Sequence, residues 1–218
     1  MTTLVKSVNT SIVPSGSSTT IDNVDTYLKG RLRELMFLSK RGDPWAFVSC
    51  CSFIDMLSQH VLNCCGHGTN RTYVDFCQNY LIPVNAKYAA VDAAMHPYEI
   101  AHMLYVVLRC GAVHSFSMKA NPQSGRYSDG KAAEYTVILG HRKNSPKGED
   151  HHLEVVDVDM QDGNPAHKAV LVMAEDFVND LKACVKNIIK KAKNDAAFCA
   201  QFIKTFDDNP PLGWLSFS

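Results

Sequence analysis

The segment from Pro44 to Cys64 constrains the fold more strongly than any other part of this 218-residue chain. If it is a helix, it is apolar around most of its circumference, and its polar residues fall on one narrow line. That line consists of Ser52, Asp55 and Gln59. A helix that is apolar on almost every side is buried in the core of its protein. We therefore predict that this segment is the central helix of a bundle.

Helical spacing of apolar residues predicts further helices around this one. They cover about residues 22–40, 72–81, 97–111, 175–193 and 196–206. Asp43 as the cap and Pro44 at the first position are predicted to begin the central helix. Gly66-His67-Gly68 is predicted to end it. Pro97 is predicted to open the fourth helix, with Glu99 in its first turn, where a carboxylate favours the helix dipole.

Three β-rich segments follow a polar, glycine-containing loop over residues 119–133. They are Tyr135–His141, His152–Met160 and His167–Met173. Short polar links join them, which favours an antiparallel meander. Since helices and strands occupy separate parts of the chain, the predicted fold class is α+β, mainly an α-helical bundle with a small antiparallel β-meander and C-terminal helices.

The predicted domain organisation is one disordered arm followed by one domain. The arm covers residues 1–21 and is rich in Ser and Thr. The single α+β domain covers 22–218, with the bundle at 22–118, the meander at 119–174 and the C-terminal helices at 175–206. The sheet region is too small for a core of its own, so we expect the sheet to be an addition to the bundle.

Composition limits the function classes. The formal net charge is zero and the pI is about 7.1, which argues against attachment to nucleic acid by bulk charge and leaves only a local basic patch open. No apolar run approaches the ~18 residues that span a bilayer, and the N-terminus lacks the apolar core of a signal peptide. The eight cysteines form no regular framework. We therefore expect a cytoplasmic protein with free thiols and no membrane partner.

Searches for familiar catalytic and metal motifs fail. The sequence has no phosphate-binding loop, no G-x-G-x-x-G, no G-x-S-x-G, no H-E-x-x-H and no C-x-x-C. Glu99-x-x-His102 has di-iron spacing, but the second such motif that this site needs is absent. Four residues could supply zinc ligands without the paired spacing of a knuckle: Cys64, Cys65, His67 and Cys77. We predict no metal and no cofactor.

The run Leu108-Arg109-Cys110-Gly111-Ala112-Val113-His114 is the best candidate for a functional site. It places an arginine, four intervening residues and a histidine at the end of an apolar helix. Over about residues 22–118 this arrangement resembles the HEPN superfamily. The resemblance implies a metal-independent ribonuclease, usually a dimer in which two Arg-His motifs face one cleft. Other members of that superfamily have lost catalysis and serve as binding or dimerisation modules.

The residue types also suit this chemistry without the resemblance. Cleavage of RNA without a metal needs a base for the 2′-hydroxyl proton and an acid for the leaving oxygen, and histidine performs either role near neutral pH. A guanidinium stabilises the charge that grows on the phosphate. In a homodimer, the two copies of His114 would divide the acid and base roles.

Cys110 departs from the family pattern. Catalytic members usually have a polar residue directly after the arginine, so the group that would orient His114 is left open. Asp55 on the central helix is the candidate, because a carboxylate in apolar surroundings seeks a cationic partner. It would either pair with Arg109, which is a structural role, or orient His114, which is a functional one.

A line of lysines adds a weaker candidate. Lys182, Lys186 and Lys190 share one face of a predicted helix and would either follow RNA phosphates or form a solvated face. The leading hypothesis is thus a HEPN-like endoribonuclease that uses Arg109 and His114 across a homodimer, with RNA as its partner. The alternative is a non-catalytic HEPN-like dimerisation or protein-interaction module.

Overall fold

The computed structural model describes residues 19–65, 70–95, 99–111, 136–142, 150–158, 167–211 and 213. Its helices are α1 (Ile21–Arg41), α2 (Trp45–Val61), α3 (Asn70–Phe76), α4 (Lys87–Met95), α5 (Ile100–Met103), α6 (Ala174–Asn194) and α7 (Ala196–Asp208). Its strands are β1 (Thr136–Gly140), β2 (Glu154–Val158) and β3 (His167–Met173). The described chain is mostly helical with one small sheet, as the α+β prediction requires.

Two of the helices change type along their length. After α3 the chain continues as a π-helix over Cys77–Leu81 and a short 3₁₀ turn over Ile82–Val84. After α5 it continues as a second π-helix over Leu104–Gly111. The apolar spacing predicted α-helix in both places. The sequence pattern does not distinguish the two forms, because they differ only in which carbonyl accepts each backbone hydrogen bond.

α1 forms where its apolar spacing predicts a helix, and both of its ends are capped. At the start, the side chains and backbone amides of Thr20 and Asn23 bond reciprocally in a capping box. At the end, Gly42 adopts the left-handed conformation with φ 69°, and its amide and that of Asp43 bond to carbonyls of the last turn. Val24, Leu28 and Leu32 are buried along the face that packs on the rest of the domain.

Gly42 and Gly30 make a matched pair of substitutions in α1. We expect Gly42→Ala to lower the free energy of unfolding by about 1 kcal/mol, because alanine is strained at positive φ. Gly30 is helical, and a Cβ there would meet no atom within 4 Å. We expect Gly30→Ala to raise the free energy of unfolding by about 0.5–1 kcal/mol. Chemical denaturation measures both, and a shift of the same sign in the two variants would contradict this view of the cap.

α2 lies at the centre of the helical part, as its composition predicts. Phe47, Ile54 and Leu57 are buried almost completely. Asp43 accepts a hydrogen bond from the Trp45 amide at 2.9 Å. The N-cap of α2 is Pro44, one position after the predicted cap. The prediction for the other end was wrong, because α2 stops at Val61, before residues 66–68, which lie outside the described residues.

α4 was not predicted. Five of its nine residues are Ala or Lys, and only Tyr88, Val91 and Met95 are buried, so no strong apolar periodicity marks it. Glu99 lies one residue before its predicted place: it occupies the N-cap position of α5, where its side chain makes no capping hydrogen bond, and it does not lie in the first turn. Its carboxylate accepts a hydrogen bond from the Gln78 side chain at 2.8 Å. Pro97 lies outside the described residues.

The sheet is mixed, so the prediction of an antiparallel meander was wrong. The strand order is β1-β3-β2, with β1 parallel to β3 and β2 antiparallel to it. The physical reason is the composition of β3. Ala169, Val170 and Val172 are fully buried, so β3 takes the central place with a partner on both edges. β2 carries the exposed Glu154 and Asp157 and forms an edge.

The sheet shares one apolar core with the helices. Val137 of β1 and Val170 of β3 are fully buried in the cluster that also contains Ile54 of α2 and Phe177 of α6. The predicted arm lies almost wholly outside the described residues, and Ile21 at its end belongs to α1. None of the described helices is long and apolar enough to cross a membrane.

Candidate functional site around Arg109

Arg109 lies near the end of the π-helix that follows α5, and it contacts Asp55 of the central helix. The guanidinium donates to the same carboxylate oxygen, Oδ2, from Nε at 3.1 Å and from Nη2 at 2.9 Å. The two side chains are 25% and 31% exposed, so the pair lies at the rim of the core. Of the three residues predicted for the site, the structure therefore brings two together. His114 lies outside the described residues.

The π-helix determines which side chains surround Arg109. Its i→i+5 hydrogen bonding aligns Tyr105 with Cys110, and the tyrosine hydroxyl hydrogen-bonds the thiol. The Tyr105 ring also lies under Arg109, with the guanidinium carbon 5.8 Å from the ring centre. Leu104 and Val106 face the core and are buried. Segments of π-helix are frequent at functional sites, so the π-helix favours a functional site at Arg109 independently of the Arg-His motif.

The electrostatics of the pair keep Arg109 charged. Burial lowers the pKa of Arg109, but the hydrogen bond and charge of Asp55 outweigh it, and the pKa is raised above its ordinary value. Asp55 takes two of the five N–H donors of the guanidinium and fixes the plane of that group. A cation held in a fixed orientation at a partly exposed position can bind a phosphate or carboxylate group.

A neutral layer lies beneath the pair. The Cys51 thiol on α2 and the Tyr73 hydroxyl on α3 are fully buried beside each other. Burial raises the pKa of both groups well above their ordinary values. Both therefore stay protonated at neutral pH, and Cys51 is not an activated nucleophile.

The residues weighed as metal ligands do not come together in the described part of the chain. There, no group of three or more His, Cys, Asp or Glu side chains could hold a metal ion. Cys77 is fully buried, the Cys64 thiol contacts the Thr72 hydroxyl, and His67 lies outside the described residues. Burial lowers the pKa of His102, and the charge of Glu99 offsets part of that shift.

A second polar cluster is centred on His152, and no sequence pattern predicted it. This histidine precedes β2 and is 3% exposed. Its Nδ1 accepts a hydrogen bond from the Met173 amide at 3.1 Å, so Nε2 carries the proton and donates to Asp180 of α6 at 3.0 Å. The Asn85 side chain donates to the same carboxylate. No motif links these residues in the sequence.

The His152 cluster is structural in character. Both ring nitrogens are engaged, which leaves neither to exchange protons with a substrate in this arrangement. The cluster joins the start of β2, the end of β3 and α6, and Lys87 of α4 adds a hydrogen bond to the His152 carbonyl at 3.1 Å. Leu153, the next residue, is buried with φ 61°, a conformation that leucine rarely adopts. The polar cluster therefore holds a strained turn in place.

The lysines proposed to contact RNA, Lys182, Lys186 and Lys190, are exposed on α6. Lys182 and Lys186 line a groove between α1 and α6, whereas Lys190 is not among the residues that line it.

In comparisons of the chain with known proteins, no family, no curated protein and no solved structure matches it.

Proposed function

We propose that this chain is a HEPN-like, metal-independent endoribonuclease that works as a homodimer. In this proposal Arg109 binds the scissile phosphate and His114 transfers protons. Asp55 is a positioning residue that orients Arg109. The observation that carries the proposal is the Asp55–Arg109 pair, because it fixes a charged guanidinium at a partly exposed position.

The reaction that this pair supports is phosphoryl transfer within the RNA strand, from the 5′-oxygen to the 2′-oxygen. The 2′-hydroxyl loses its proton to one histidine and attacks the phosphorus, and a 2′,3′-cyclic phosphate forms. The bond from phosphorus to the 5′-oxygen breaks, and a second histidine protonates that leaving oxygen. Negative charge grows on the phosphate oxygens during this step, and a pre-oriented guanidinium stabilises it without reorganisation. One His114 from each subunit would supply the base and the acid.

A non-catalytic HEPN-like interaction module is the second candidate. The same Asp55–Arg109 pair favours it, because an ion pair at the rim of the core also anchors the π-helix to α2. In that case the two side chains would matter for stability or dimer affinity alone. Cys110, in place of the usual polar residue, supports this alternative.

Substitutions at Arg109 and Asp55 separate the two candidates. We expect Arg109→Ala to lower the rate of RNA cleavage by about 100-fold or more, because it removes the donor to the phosphate. Arg109→Lys keeps the charge and loses the planar fork, so most of the loss should remain. We expect Asp55→Asn to lower kcat by about tenfold with KM little changed, because a misplaced guanidinium still binds RNA.

The assay uses purified protein with excess chelator and a mixture of labelled single-stranded RNAs, and thermal melting checks that each variant is folded. Arg71→Ala is the matched control, because Arg71 is 87% exposed and, among the residues that the structure describes, pairs only with Asp75 on its own helix. Equal cleavage by Arg109→Ala and Arg71→Ala would overturn the proposal. So would an absence of cleavage by the unmodified protein, and a fall in Tm of Arg109→Ala would then favour the interaction module.

A further inference from the structure

A groove of about 830 Å³ runs between α1 and α6 on the surface of the domain. Its floor consists of the outer atoms of aliphatic and thioether side chains: Leu32, Met36, Val178, Val185 and Ile189. Met36 is partly exposed, and the other four are otherwise buried in the core. Cationic side chains form its rim: Lys29, Arg33, Lys182 and Lys186. The groove therefore combines an apolar floor with a basic edge on both sides.

The register of the two helices arranges these cations in two levels. Lys193, near the end of α6, pairs with Asp22, in the first turn of α1, at 2.9 Å, so the helices are antiparallel. Because each helix rises 1.5 Å per residue, Lys186 lies level with Lys29, and Lys182 lies level with Arg33. Each level thus presents one cation from each helix.

Most of this positive charge is uncompensated. The Lys29 ammonium pairs with Asp25 at 2.7 Å within α1. Arg33, Lys182 and Lys186 take part in no ion pair among the residues that the structure describes. Like charges that face each other across a groove repel, so an occupant that brings carboxylates would relieve that repulsion.

The floor and the charge together select the kind of occupant. A single-stranded nucleic acid binds on aromatic platforms beside its phosphates, and none of the residues lining this groove is aromatic. A second copy of the same face would bring cations against cations. Residues 1–18 of the chain itself contain no acidic residue. Aliphatic anchors flanked by carboxylates, on a partner protein, match the floor and the rim at once.

We propose that the α1–α6 groove is the docking site for an acidic amphipathic helix of a partner protein. The groove follows α1 from Asp25 to Met36, which is about 16 Å and corresponds to about three turns of a bound helix. Such a helix would place apolar residues at i, i+3 or i+4 and i+7 on the floor and carboxylates on both flanks. This inference does not depend on RNA cleavage at Arg109.

Fluorescence anisotropy with a designed peptide tests the inference. The probe is a labelled 14-residue helical peptide with leucines at the anchor positions and glutamates on both flanks. We expect saturable binding in the micromolar range, and a loss of at least about tenfold in affinity for Arg33→Glu combined with Lys182→Glu. Lys190→Glu is the matched control, because Lys190 is exposed on the same helix outside the groove; we expect less than about a twofold change.

Two further probes make the test decisive. A peptide with the same glutamates and with serine in place of leucine should lose binding, because the apolar floor then has no partner. A single-stranded RNA of equal charge should bind more weakly than the leucine peptide. Absence of peptide binding, equal effects of the groove variant and Lys190→Glu, or tighter binding of RNA that competes with the peptide would each overturn the proposal.

Discussion

Replacing His152 with alanine is expected to lower the free energy of unfolding by about 3 kcal/mol or more. The substitution removes both hydrogen bonds of the ring and leaves the buried Met173 amide without its acceptor. It also leaves Asp180, whose side chain is 13% exposed, without its closest donor. In addition, the turn at Leu153, with φ 61°, loses the side chain that holds it.

Chemical denaturation followed by circular dichroism measures this effect. His151→Ala is the matched control, because His151 is the preceding residue and its contact with Glu154 lies near the surface. We expect that control to change the free energy of unfolding by less than about 1 kcal/mol. Equal small effects of the two substitutions would mean that the His152 cluster does not hold the sheet against α6.

A loss of activity as large as that of Arg109→Ala is expected at His114. If the proposed function is right, His114→Ala should lower the single-turnover rate of RNA cleavage by about 100-fold or more, since it removes both proton-transfer groups of the dimer. The free energy of unfolding serves as the check that the variant is folded. His151→Ala again supplies the control, and it should cleave RNA at the rate of the unmodified protein.

A particular result at His114 would refute the catalytic role. If His114→Ala and His151→Ala cleave RNA at the same rate, the histidine does not transfer the protons. Activity that disappears on further purification of both proteins would indicate a contaminating nuclease. Either outcome would leave Arg109 and Asp55 as a structural pair.

The sequence predicted the helices whose burial is periodic. In α1 and α6 the apolar residues recur at helical spacing, and in α2 the apolar residues cover nearly the whole surface, so burial alone specifies these elements. α4 was not predicted, because its four alanines make the helix faces similar in hydrophobicity. The order of the strands was also predicted wrongly. Short links along the chain favour pairing of strands that are neighbours in sequence, whereas the observed order depends on which strand is buried on both sides.

The candidate site also contains one contact that the sequence predicted and others that it could not predict. The contact between Asp55 and Arg109 could be foreseen although the residues are 54 positions apart, because a carboxylate on an apolar helix requires a cationic partner. The π-helix that aligns Tyr105 with Cys110 could not, since the same residues fit α-helical spacing. The His152–Asp180 contact could not either, because a histidine before a strand and an acid near a helix start each have common solvent-exposed roles.

The end groups of RNA fragments test the central proposal most directly. RNA is incubated with the purified protein in excess chelator, and the fragments are analysed by mass spectrometry. Attack by the 2′-hydroxyl, as the Arg109–His114 chemistry requires, predicts fragments ending in 2′,3′-cyclic phosphate and 5′-hydroxyl, and no fragments with His114→Ala. Fragments that end in 3′-hydroxyl and 5′-phosphate, or no fragments from any RNA, would contradict the proposed function.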